Sequence, residues 1–196
     1  GALKGKIAVV TQRTRRTQDI KGYADGVRAR SVGGPEAAKR GAVAYLVRSV
    51  STDDTRLPHT GGGGASGIPM AALSTPDADL LERMVARGKP VRVKLSMAST
   101  QRDKAPAYNV VGEIKGRERP EEVIVIGGHL DSWDAGTGAV DDAAGIAITT
   151  AAAKLISDLP RRPRRTIRVV MWGAEEQGGS GQAYADAHAG EAANII

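Results

Sequence analysis

Two short apolar runs constrain this chain more than any other feature. One covers Glu122 to Gly127 and the other Thr166 to Trp172. Both are rich in β-branched residues, which suits strands buried inside a sheet. Between them, Asp142 to Leu159 reads as an Ala-rich helix closed by Pro160. Strand, helix and strand in that order predict a parallel crossover unit, so the expected class is α/β with a mostly parallel sheet flanked by helices. In such sheets ligands bind at the carboxyl ends of the strands. Here the first run leads into Gly127-Gly128-His129-Leu130-Asp131, and the second into Ala174-Glu175-Glu176.

Those two endings bring metal-type residues to one sheet edge. Imidazole and carboxylate together suit Zn²⁺. Asp131, two residues after His129, is placed to hold the second imidazole nitrogen. Asp141 and Asp142 stand where the helix begins, and a carboxylate there stays ionised and can bridge two metals. An adjacent Glu pair can divide its work, one on the metal and one on the water proton. Taken singly, each residue has a plainer reading: a hydrogen-bonded loop His, a helix-capping Asp, a solvated Glu turn. Their coincidence at neighbouring strand ends favours a metal site.

The first half reads as a smaller α/β unit. Strands are expected at Lys6–Thr11, Val43–Val47, Ile68–Leu73 and Val91–Leu95, the last with clean alternation. Pro35 to Arg40 looks like the opening turns of a helix, with Pro at its start. Thr75-Pro76-Asp77 predicts a second helix start with Thr75 as the cap, and Gly88 its end. A polar connector, Ser99 to Pro106, divides the chain into domains at 1–100 and 106–196. A strand from Asn109 to Ile114 and a helix from Gly179 to Ala189 complete the second part.

Composition narrows the function classes. The chain has no cysteine, which excludes disulfides and thiolate-bound zinc. No apolar run reaches the length of a membrane span, and no basic-then-apolar leader opens the sequence. The net charge of +6 gathers at Arg13-Thr14-Arg15-Arg16 and Arg161-Arg162-Pro163-Arg164-Arg165. Aromatics are 3% of residues and none interleave with those clusters. Solvated loop charge is therefore favoured over nucleic-acid binding.

The motifs Gly-Gly-His129-Leu-Asp131-Ser, Asp141-Asp142-Ala-Ala-Gly145 and Trp172-Gly-Ala-Glu175-Glu176-Gln-Gly-Gly-Ser-Gly resemble the co-catalytic zinc aminopeptidase family. Gly-His129-Leu-Asp131-Ser-Trp133-Asp134 and Glu175-Glu176-Gln177-Gly178-Gly179 are most similar to its carboxypeptidase Q-like branch. Upstream, Glu36 to Ser49, Pro58-His59-Thr60-Gly61 and Ile68-Pro69 resemble the protease-associated insert of that branch. The resemblance implies two zincs per complete site, with His129 on one, Asp141 bridging and Glu176 on the other. It implies Glu175 as general base, Asp131 as the residue that orients His129, and a cis bond between Asp141 and Asp142. It also implies a peptide substrate, a homodimer and a secreted or periplasmic location.

The family pattern has two further ligands, an Asp after the next strand and a late His. Neither is matched before Ile196, so the chain is expected to be an internal piece of a longer protein. His188 is read as a surface residue and His59 as a plain loop histidine. The rival readings are a glutaminyl-cyclase-like acyl transferase on the same scaffold, a truncated homologue acting as an interaction module, and a basic nucleic-acid binder.

Overall fold

A computed structural model describes residues 2–59, 61–100 and 105–196. Residues 101–104 of the polar connector lie outside it. The chain divides into two compact units, Gly1–Gln101 and Arg102–Ile196.

The first unit holds β1 (Ile7–Val10), α1 (Lys21–Lys39), β2 (Ala44–Arg48), β3 (Met70–Leu73) and α2 (Thr75–Ala86). Its strands form a parallel sheet in the order β1-β2-β3. Every residue of β2 is buried, as its continuous apolar run requires. Tyr45 and Val47 of β2 pack with Ala8, Ala37 and Ala42 to form the core.

The first unit departs from its sequence pattern at three points. Pro35 does not start a helix but lies inside α1. A helical proline lacks its N–H and frees the carbonyl four residues earlier. That carbonyl, Ser31 O, accepts instead from the Gly64 N–H at 3.1 Å. The glycine run thus supplies the donor that Pro35 lacks, and the helix continues through it. Second, the α2 cap is Ser74 rather than Thr75: Ser74 Oγ accepts the Asp77 N–H at 3.2 Å and donates to the Asp77 carboxylate at 2.6 Å. Third, Val91–Leu95 forms no strand. Residues 91–94 line an open cavity with Ile7 and Val9 of β1 and Leu81 and Val85 of α2. Alternation marks a half-exposed segment there, but a strand also needs a hydrogen-bonded neighbour.

The second unit holds β4 (Val110–Ile114), β5 (Arg119–His129), α3 (Gly145–Ser157), β6 (Arg165–Trp172) and α4 (Ser180–Ala187). The sheet order is β4-β6-β5. β5 runs parallel to β6, and β4 runs antiparallel to it. The sheet is therefore mixed, and β6, not β5, is its central strand. On its far side β5 gains a parallel bridge from Val123 to Ile195. The regular helix begins at Gly145, later than Asp142, because Asp141 and Asp142 have non-helical backbone angles.

The basic clusters are partly neutralised within each unit. Arg13 pairs with Asp79 and Glu82, and Arg15 with Asp25. Arg164 pairs with Glu118 and Arg165 with Glu122. Among the described residues, no helix is long and apolar enough to cross a membrane.

Candidate metal centre

The parallel register sets His129 beside Trp172, so β5 and β6 end at the same edge. The Leu130 N–H donates to Trp172 O at 2.7 Å and carries the ladder one step further. Three residues beyond Trp172 the chain reaches Glu175 and Glu176. The third contribution comes from the kinked turn Ala139–Ala144 ahead of α3, entered through Gly138 at a φ of 65°. Its Asp141–Asp142 peptide bond is cis.

These three segments converge. Ligand-type atoms of His129, Asp141 and Glu176 all lie within 4.8 Å of one another. His129 Nε2 is 2.9 Å from Asp141 Oδ1 and 3.9 Å from Glu175 Oε2. The imidazole is 11% exposed, while Asp141 and Glu175 are open to solvent at 80% and 56%. A recessed nitrogen beneath accessible carboxylates is a geometry that a divalent cation could complete. Burial alone would lower the His129 pKa. The Asp141 hydrogen bond, the Asp131 carbonyl and the nearby Glu175 charge outweigh it and raise the pKa.

Asp131 sits differently from the position its spacing suggests. The His129 Nδ1 partner at 2.9 Å is the Asp131 backbone carbonyl, and the Asp131 carboxylate stands farther off at 3.5 Å. That carboxylate instead accepts the Glu175 N–H at 2.9 Å and the Glu176 N–H at 3.0 Å. Burial would raise the Asp131 pKa, but these amides overcome it and lower it. Asp131 thus ties the end of β5 to the loop after β6. The sequence marks Asn109 only as the first residue of a strand. Its amide donates to Ser180 O at 2.9 Å and its carbonyl accepts the Gly173 N–H at 3.0 Å, so it fixes where β6 ends. No signal in the sequence distinguishes it from other strand-end residues.

His188 is half-buried rather than a surface residue: its ring stacks on Tyr184 at 4.0 Å and its Nδ1 lies 2.8 Å from Tyr184 O. His59 donates its backbone N–H to Ser49 Oγ at 2.8 Å and meets Tyr23 edge-on.

Residues 109–195 match the model of peptidase family M28. Carboxypeptidase Q of Xenopus laevis is 43% identical over 98% of this chain, and that of Bos taurus 42% over 97%. A peptidase M28 precursor from Shewanella amazonensis is 47% identical over the whole chain, with a TM-score of 0.94. A zinc aminopeptidase from Bacillus subtilis, at 21% identity and a TM-score of 0.54, shares the fold. The chain belongs to peptidase family M28. Within that family it stands on the carboxypeptidase Q-like branch and corresponds to part of a larger homologous protein. It spans 41% of the Xenopus protein and 46% of the Shewanella one.

Proposed function

We propose that the complete protein is a zinc-dependent exopeptidase acting on short peptides or dipeptides, and that the second unit carries part of its catalytic centre. One observation supports this above the others. Asp131, Asp141, Asp142, Glu175 and Glu176 gather around His129, and among the described residues none of them pairs with a lysine or arginine. Carboxylates brought together without a basic partner favour a bound cation. One imidazole with carboxylates, in a chain without thiols, suits zinc.

In this reading His129, Asp141 and Glu176 would hold the zinc, with Asp141 the ligand that would serve both ions. Bound zinc supplies Lewis acidity, which polarises the scissile carbonyl and makes water easier to deprotonate. Glu175 borders the group without being needed as a ligand. It accepts the proton of the attacking water at a carboxylate oxygen and returns it to the leaving amine. Asp131, through its two amide hydrogen bonds, holds the Glu pair at the working height.

The first unit is proposed to be a protease-associated insert. The match to the family model begins at residue 109, yet the carboxypeptidase Q relatives align across both units. That similarity also supports a peptide substrate and a secreted or periplasmic location.

The test is zinc content after exhaustive dialysis, compared between the complete protein and its His129→Ala variant, with dipeptide hydrolysis measured in both. Zinc that is retained, lost in the variant and required for hydrolysis supports the proposal. Hydrolysis that survives complete metal removal would sink it.

A further inference from the structure

Asp142 follows Asp141 directly, yet its carboxylate serves the opposite strand. Asp142 Oδ2 accepts the His129 backbone N–H at 3.0 Å. Along β5, successive amides face opposite edges. The Leu130 N–H is taken by Trp172 of β6, so the His129 N–H faces away from β6. Asp142 is the acceptor that meets it there. The carboxylate is housed between two glycines, Gly128 at the end of β5 and Gly145 at the start of α3. A methyl group at either position would overlap the carboxylate oxygens. Gly145 has ordinary helical angles, φ −62° and ψ −44°, so its backbone does not require glycine. The space does.

From this geometry we infer that Asp142 is a positioning residue, which sets His129 relative to Asp141, and that Gly128 and Gly145 leave the room it needs. This rests on the reading of His129, Asp141 and Glu176 as metal ligands. Asp142 lies outside that ligand group. It ties the backbone of one ligand, His129, to the peptide segment that carries another, Asp141. Without it, His129 would lose a charge-assisted bond to its own backbone, and the two ligands would be free to drift apart.

The test uses the complete protein and Zn²⁺ itself, with affinity read by chelator competition. Asp142→Ala should weaken zinc about 10- to 100-fold, the usual cost of losing a group that orients a ligand. Asp142→Asn keeps an oxygen acceptor for the His129 N–H and should stay within about 3-fold of the parent, because the role needs an acceptor more than a charge.

Gly145→Ala separates positioning from mere structure. Alanine is the better helix former, yet its methyl displaces the Asp142 carboxylate. Zinc affinity should fall about 10-fold by the same loss of orientation while the melting temperature is held or raised. In the metal-free chain, hydrogen exchange at the His129 amide should quicken in Asp142→Ala and Gly145→Ala and stay slow in Asp142→Asn.

Parental zinc affinity in both Asp142→Ala and Gly145→Ala would overturn this inference and leave the metal reading intact. Should Asp142→Ala fail to fold, Gly145→Ala alone decides. A complete parent protein that binds no zinc would overturn the metal reading, and this inference with it.

Discussion

The first unit and the cluster around His129 in the second use acidic residues in opposite ways. In the first, carboxylates sit against cations. Arg48, with a side chain 1% exposed, donates to Asp79 at 2.5 Å and Glu82 at 2.9 Å, and to the backbone at Thr11 and Thr75. Its guanidinium holds the Asp79 carboxyl below the usual range. Glu36 is held down by Lys39 and Arg40, and Arg56 pairs with Asp77. Around His129, among the described residues, the acids meet only an imidazole and backbone amides. The chemistry of the side chains is the same in both places. What differs is whether a permanent positive charge stands opposite, and that difference separates a brace from the proposed binding site.

The sharpest way to break this contrast is Glu175→Gln in the complete, metal-loaded protein. Turnover of a dipeptide should fall by roughly 10²- to 10⁴-fold, the usual worth of a general base, with zinc content unchanged. Near-normal turnover would remove Glu175 from the mechanism. The counterpart in the first unit is Arg48→Ala. It leaves Asp79 and Glu82 over a cavity with Arg13 as their remaining cation and should cost about 3 kcal/mol, at the low end for a broken buried pair because both acids are partly exposed and keep that partner. Urea unfolding measures it, and zinc affinity should not move.

Smaller effects refine the picture. Ser74→Ala removes the cap of α2 and should cost about 1 kcal/mol in the same unfolding assay. Glu36 probes the charge pairing by pH. Its pKa is lowered from 4.5 to about 2, first by hydrogen bonds from Lys39 and Arg40. A carboxyl with a depressed folded pKa adds stability above its unfolded pKa, and that share is lost as the pH falls through the folded value. The contribution of Glu36 should therefore be present above about pH 4.5 and fade toward pH 2. Glu36→Gln should flatten the stability profile in that window only, by a small amount because the pair is exposed and screened by salt. An unchanged profile would discard the pairing.

Much of the second unit is legible in the sequence alone. The two β-branched runs and the helix between them define a parallel pair whose ends carry His129 and the Glu pair, since a strand's direction alone decides which residues reach its carboxyl edge. Proximity of Asp141 followed from its place ahead of α3. What stayed hidden depends on side chains reaching across the fold. Asp142 carries the composition of a helix cap, and only the kinked turn shows that it serves His129. Asp131 stands at the spacing of an imidazole partner, yet its carboxylate serves amides more than forty residues away. In the first unit, Val91–Leu95 has the alternation of a strand but lacks a neighbour, and a local pattern cannot report a partner. Pro35 carries a standard helix-start signal, which was outweighed by one donor from a distant loop.

That donor links positions 35 and 64 into one heritable unit. Any residue other than proline at 35 restores an N–H that competes for the Ser31 carbonyl and sets Gly64 loose. Any side chain at 64 would press on that carbonyl and on the proline ring. Neither site is free to change alone. Among relatives the two should drift together, so that a lineage losing the proline also loses the glycine. Counting how often they part company would measure how tightly the loop is bound to the helix over evolutionary time.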